Sequence, residues 1–392
     1  MLSKLYILLL VISFNGCYLF AQREKVYSSL NDAVRHSHLV YKLDLSYSGL
    51  RKLPEVIGSF PNLEELNLSH NKLSSLPESM GGLKKLVYLQ LSNNNISKLP
   101  NSIGKLKRLK VLNAQYNSLQ QLPFSFCQLD SLEELNLGYN KLTTLPDSIG
   151  QLSALFWLEV PSNKLSELPN SIIKCEKLQG IDLFINKFSN FPLQLLQLKL
   201  VSSLNLGRNK LIEVPKEIGQ FKTIKNLDLR ENGLKKVPVE LSLLKTLIHL
   251  NLSFNPLAYL PEDFSKLNGL KEFSVSFCDL GVFPKCILRM VNLEMLDLSY
   301  NRLQELPDDL NRLLSLMREL YVNENKLLKL PDNLVDLPNI NRFDFEGNKI
   351  KFLPVNFVEI QQLEMIGYKN NKGLKLSKIE KKFLKKRKFN FQ

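Results

Sequence analysis

The chain has 392 residues, 44% hydrophobic and 23% charged, with 52 lysines and arginines against 38 aspartates and glutamates. That balance excludes a disordered chain, which holds too little apolar surface, and a bundle of membrane spans, which tolerates far fewer charges. The formal net charge of +14 bears on association and not on fold, so where the charge sits decides what it means.

The first stretch, MLSKLYILLLVISFNGCYLFAQ, carries one early cation, Lys4, and an apolar run from Leu5 to Phe14. The run is too short to cross a bilayer and has the length of a signal-peptide core. Residues 1–21 are therefore expected to be a signal peptide, cleaved between Ala21 and Gln22, although Leu19 is large for the small-x-small rule. The alternative is lipid attachment at Cys17, since FNGC resembles a lipoprotein box with poorly fitting Phe14 and Asn15. Residues 22–39 read as an N-terminal helical cap. Ser29 lies three before Asp32 as a helix cap, and Val26, Leu30, Ala33 and Val34 fall on one helical face.

From Val40 onward the chain repeats itself. LEELNLSHNKL (63–73), LEELNLGYNKL (132–142) and LFWLEVPSNKL (155–165) are three windows of one pattern. Fifteen units run from Val40, Leu63 and Leu86 to Ile340 and Leu363, each 23 residues long except that beginning at Leu293, which has 24. The extra residue falls in NRLLSL (311–316). Numbering places within a unit from 1, apolar residues at places 4 and 6 alternate with polar ones at 5 and 7, the period of a strand with one face inward. Proline at place 15, as in Pro54, Pro77 and Pro100, starts the return path, where Ile103 and Leu106 turn back inside. No unit buries this core alone; only stacking does.

The unit LxxLxLxxNxLxxLPxxIxxLxx resembles the leucine-rich repeat superfamily, in the class found in bacterial exported repeat proteins and in Ras-pathway scaffolds. The resemblance covers residues 40–376. It implies an α/β fold: a curved leucine-rich repeat solenoid with a concave parallel sheet, short helical or extended convex segments and helical caps. Place 9 is asparagine in thirteen units, namely Asn71, Asn94, Asn117, Asn140, Asn163, Asn186, Asn209, Asn232, Asn255, Asn301, Asn325, Asn348 and Asn371, with Ser48 and Cys278 as exceptions. An inward amide there can satisfy backbone groups of neighbouring turns, so these residues are expected to form a structural ladder. Residues 377–392 are a basic C-terminal cap or tail, opened by a capping box, Ser377-x-x-Glu380, before Ile379, Phe383 and Leu384.

Catalytic chemistry is not indicated. His70 and His249 sit eight units apart on the expected concave face, and His36 and His38 have no third ligand at metal-site spacing. No phosphate-cradling glycine loop or nucleophile elbow is present, so no catalytic, cofactor or metal residue is assigned. Cys127, Cys175, Cys278 and Cys286 are expected to be free and mostly buried. That is unusual for an exported protein and favours a cytoplasmic alternative.

The outward strand places (2, 3, 5, 7 and 8) hold 17 acidic and 9 basic side chains, whereas residues 372–392 hold nine Lys or Arg and one Glu. A nucleic-acid binder would line its groove with cations, so that partner is not expected. The tail is either a solvated capping helix or a contact for an anionic surface. The groove's distinctive residues are aromatic: Phe156 and Trp157, the only tryptophan, where other units carry Glu-Glu. Phe184 and Ile185 follow in the next unit, Gly180 leaves space beside Trp157, and Tyr116 and Tyr139 precede. We expect Trp157 to face solvent and this cluster to bind a partner. A second cluster is His249, Phe254, Phe277 and Tyr300, with Tyr321. The resemblance implies a non-enzymatic protein, exported, that recognises a protein or peptide on its concave face. The rivals are a cytoplasmic signalling scaffold and a surface adhesin or lipoprotein.

Overall fold

The computed structural model describes residues 23–310 and 316–387. The expected signal segment, Cys17, most of NRLLSL and residues 388–392 lie outside the described residues. The chain divides into two compact units, residues 1–182 and 183–392.

In the first unit the strands are β1 (Val26–Tyr27), β2 (Lys42–Asp44), β3 (Glu65–Asn67), β4 (Tyr88–Gln90), β5 (Val111–Asn113), β6 (Glu134–Asn136), β7 (Trp157–Glu159) and β8 (Gly180–Asp182). They lie parallel in chain order, and from β2 on each residue pairs with its counterpart one repeat later, as in Leu43 with Leu66 and Leu66 with Leu89. The second unit repeats this from β9 (Ser203–Asn205) to β16 (Met365–Gly367). Leu296 pairs with Leu320, so the extra residue of that repeat is absorbed outside the strands. Both units are stacks of coils around a leucine core, the solenoid that the repeat implies.

The coil's shape follows from its residues. Leu66 and Leu68, or Leu250 and Leu252, are buried from one strand face, each stabilising the fold by about 2 kcal/mol. Prolines 54, 77 and 100 hold an extended backbone at the head of a single 3₁₀ turn, whose Ile57, Met80 and Ile103 are buried. Between strand and turn the ladder amide holds neighbouring coils together. Asn71 Nδ2 donates to Leu45 O of the preceding coil at 2.8 Å and to Leu68 O and Ser69 O of its own, while Leu50 N–H donates to Asn71 Oδ1 at 2.9 Å. Asn140, Asn255 and Asn348 repeat the set. At Cys278 a thiol stands in, reaching Leu252 O and Ser276 O at 3.6 and 3.4 Å.

On the opposite side of the first unit, glycines let coils approach backbone to backbone. A Cβ at Gly58, Gly104 or Gly150 would collide with the carbonyl oxygen of Ser79, Ser125 or Ser171 in the next coil. Carboxylates help there too: Glu78 accepts from Asn101 N–H and Ser102 N–H at 3.0 and 2.8 Å, so backbone donors of the next turn are not left unpaired.

Helix α1 (Leu30–Arg35) begins at Ser29, whose hydroxyl accepts from Asp32 N–H. Val26 corrects the helical-face expectation: it belongs to β1, paired with Lys42, and is exposed, while its neighbour Tyr27 is buried. Strand alternation, not helical periodicity, governs these residues. Helix α2 (Lys378–Lys385) starts with a complete Ser377–Glu380 capping box. Phe383 and Leu384 are buried, Phe383 edge-on to Phe357, and Arg387 O accepts from Ile366 N–H of β16 at 2.8 Å. Ile379, expected among the apolar residues of that helix, is instead exposed.

Removing Asn140 takes from buried Leu119 N–H its only partner among the described residues, and one of two donors from each of Ala114 O, Leu137 O and Gly138 O. Asn140→Ala is expected to destabilise by about 2–4 kcal/mol, and Cys278→Asn to stabilise by about 1 kcal/mol, both read as midpoint shifts in urea unfolding.

Candidate functional site on the strand face

The outward-facing places of the strands differ in how free they are. At place 5 the side chain is engaged by its own backbone: Asp44, Asn113, Asn251, Asp297 and Asp344 each accept, through Oδ1, the N–H two residues on, at 2.8–3.1 Å. Part of the acidic count on this face is thus spent on shaping the turn.

Trp157 pairs in register with Glu134 on one side and Gly180 on the other. Its six-membered ring lies over Gly180, where a Cβ would collide with ring carbons Cζ3 and Cε3. The indole N–H donates to Glu159 Oε1 at 2.8 Å, and Asn136 Nδ2 donates to Glu159 Oε2. Trp157, expected to face solvent, is half-buried: its ring is tethered at the nitrogen and seated on the next strand. Phe156 is the exposed partner, 41% accessible, its ring 6.2 Å from the indole and tilted by 34°.

The same seating recurs in the second unit. A Cβ at Gly207 would stand 3.1 Å from Phe184 Cδ2, and the Arg230 guanidinium lies 4.9 Å from the centre of the Phe184 ring. Asp344 lies over Gly367, and Glu324 over Gly347. In each case a side chain rests on the glycine at the same place of the following coil. Burial there pushes the Asp344 carboxyl up to about 6, with the Glu346, Asp297 and Glu324 charges adding to it.

The place 8 side chains stand apart from the strands. His70, Tyr116, Tyr139, Ile185, Phe254, Phe277 and Tyr300 all have φ between 49° and 56°, in the left-handed region just before the ladder position. There the side chains stack coil on coil: Tyr47 on His70 at 4.3 Å, Tyr116 on Tyr139 at 4.2 Å, and Phe254, Phe277 and Tyr300 at 4.1 and 3.8 Å. His70 is thus a stacking residue at the turn and not a strand-face residue. His249, grouped with the last stack from the sequence, is on β11 (His249–Asn251) with its Nδ1 2.8 Å from Glu272. Tyr321 is tied to Glu319 through its hydroxyl at 2.8 Å.

One feature escaped the sequence reading. Tyr88 is exposed on β4 and helps line a shallow cavity of about 330 Å³ with Val26, Lys42, Glu65 and Gln90. Its signal is its place 3 position, which it shares with Trp157.

Cys175 and Cys286 are buried, and desolvation pushes both thiols up to about 12, far from a reactive thiolate. Among the described residues no group of three His, Cys, Asp or Glu is placed to hold a metal ion. No described helix is long and apolar enough to cross a membrane.

A leucine rich repeat family model matches residues 38–96, 77–119 and 107–165, and a second such model matches 246–267 and 292–313. A solved leucine-rich repeat protein of Leptospira interrogans is 32% identical with a TM-score of 0.84, the alignment covering 94% of this chain and 100% of that one. The plant peptide hormone receptor RGFR1, solved in complex with RGF2, is 27% identical with a TM-score of 0.67, over 84% of this chain and 59% of the receptor chain. An internalin of Listeria monocytogenes shares the fold at 17% identity and a TM-score of 0.67, over 76% of this chain and 85% of that one. Comparison with curated proteins returned no match. The chain belongs to the leucine-rich repeat family. Proteins of this family are in general protein-interaction modules.

The raised Asp344 group has a defined consequence. A carboxyl whose folded pKa lies above its unfolded value favours the fold below pH 4 and loses that contribution as pH rises through about 6. Asp344→Asn keeps the Oδ1 acceptor for Glu346 N–H and removes the charge. It is expected to gain about 2–3 kcal/mol at pH 7.5 and close to nothing at pH 3.5, read by urea unfolding at the two values. An equal gain at both would mean the charge is not what costs stability.

Proposed function

We propose that this protein is a non-enzymatic recognition protein that binds a protein or peptide partner on its strand face. The observation that carries this is Trp157, a single indole held by Gly180 and Glu159 on the strand face, beside exposed Phe156. Large aromatic side chains fixed in place lose little entropy on binding and dominate interface energetics. The likeness to a receptor solved with a peptide hormone supports a peptide-sized ligand. Helix α2 is read as the cover of the last coil and not as a second, anionic-surface site, because Phe383, Leu384 and Arg387 are spent on that coil.

A photo-crosslinking residue placed at 156 tests this against one at Phe124, which is 72% exposed on a 3₁₀ turn away from the strands. Position 156 is expected to trap one defined protein partner, and position 124 is expected to trap none. Equal trapping at both positions would remove the strand face as the site.

We further infer that the protein is exported, on the strength of the Leu5–Phe14 apolar run and the Ala21–Gln22 junction. N-terminal sequencing of the natural product is expected to begin at Gln22. An intact Met1 would instead support the cytoplasmic scaffold, and acylated Cys17 the lipoprotein.

A further inference from the structure

The arrangement around Phe184 shows what the seat around Trp157 is built to accept. In the second unit an aromatic ring lies over the glycine of the next coil, and an arginine from the coil beyond, Arg230, sits over that ring. Trp157 has the same glycine seat, but the residue two repeats on in the sequence is Ser203, where Phe184 has Arg230. Among the described residues of the first unit no cation lies over the indole.

The surroundings are matched to one. Indole offers the most negative face of the aromatic side chains to a cation. Its N–H is given to Glu159, which adds a carboxylate at the ring's edge, and Asn136 fixes that carboxylate from the other side. Glu134, in register with Trp157 on β6, is exposed, and its carboxylate makes no ion pair among the described residues of the first unit. The outward strand places of the first unit hold seven acidic side chains and two basic ones. Both bases are engaged, Lys110 with Glu133 and Lys42 with Glu24 and Glu65. Exposed Phe156, tilted against the indole, supplies an apolar wall for the methylene stem of a long cationic side chain.

We propose that Trp157, Glu134 and Glu159 form a seat for the guanidinium or ammonium group of a basic peptide segment. This rests on the strand-face reading above and adds the chemistry of the ligand: an arginine or lysine side chain inserted beside the indole, playing the part that Arg230 plays for Phe184. The chain's own net charge of +14 opposes a polycation at long range, so binding of one reports a local site.

Because Trp157 is the only tryptophan, its emission reports on this seat directly. The full chain is titrated with hexa-arginine and with hexa-citrulline, its neutral near-isostere, in about 0.15 M salt to screen distant charges. Hexa-arginine is expected to change the emission saturably, and hexa-citrulline is expected not to. Glu134→Gln is expected to weaken hexa-arginine at least about fivefold, while Glu272→Gln, the same charge change in the second unit, leaves it unaltered. Equal responses to the two peptides, or equal losses in the two variants, would overturn the cation seat. If position 156 traps a partner while hexa-arginine leaves the emission unchanged, the strand face stands as the binding site and the cation seat falls. If neither responds, both fall.

Discussion

The constraint on which this structure depends is the fate of backbone carbonyls where each coil leaves its strand. Leu68 O, like its counterparts in other coils, turns inward at a bend where no backbone donor among the described residues reaches it. Ser69 O beside it takes its backbone bond from Tyr47 N–H of the coil before. The amide of Asn71 serves them, serves Leu45 O of the coil before, and takes up Leu50 N–H. Buried backbone groups left without partners cost more than a hydrogen bond returns, so the position tolerates little besides an amide. It also fixes what precedes it. Aromatic residues such as Tyr116 and Phe277 accept a left-handed backbone at φ 53° and 49°, a conformation that costs about 1–2 kcal/mol for a residue with a Cβ. Stacking with the equivalent side chain of the neighbouring coil offsets part of that cost.

Once coils are locked in register, the strand face becomes a grid whose columns run through the same place of successive repeats. Chemistry on such a grid is set by what stands one coil ahead. Where the next residue in the column is glycine, a larger side chain lies down over it, as Trp157 does on Gly180 and Asp344 on Gly367. A ring held this way keeps one face for a ligand and has already lost its rotational freedom, which lowers the entropy a ligand must overcome. In the first unit the place 5 carboxylates lie beside the turn and the other acids of this face stand at places 2 and 3, with Glu159 at place 5 tethered to Trp157 instead.

Much of this is readable in the sequence, because a period of 23 residues puts every leucine, asparagine and proline in a column and the column declares the direction of each side chain. The core and the C-terminal capping box follow from that alone. What escapes is whatever departs from the period or depends on a neighbour's shape. Val26 and Tyr27 make a strand of two residues ahead of the first repeat, too short for alternation to announce it. The left-handed backbone at place 8 is hidden because residues as different as tyrosine, serine, arginine and glutamate occupy it, and glycine stands there in one repeat, at Gly347. The lean of Trp157 needs both the indole and the gap at Gly180. Space beside the ring can be inferred from the sequence, but the ring's use of it, and its bond to Glu159, cannot.

The glycines of the first unit that meet the serine carbonyls of the next coil have a further implication for how such a chain can change over evolutionary time. Repeat proteins are usually pictured as interchangeable modules, open to duplication and reshuffling. Here Gly58, Gly104 and Gly150 admit a backbone contact that a coil carrying Leu288 at the corresponding place could not make. The close approach is to a backbone carbonyl that every coil carries, so what a replacement coil must supply at such a seam is the glycine itself, and a coil without it can enter only by moving its neighbour away.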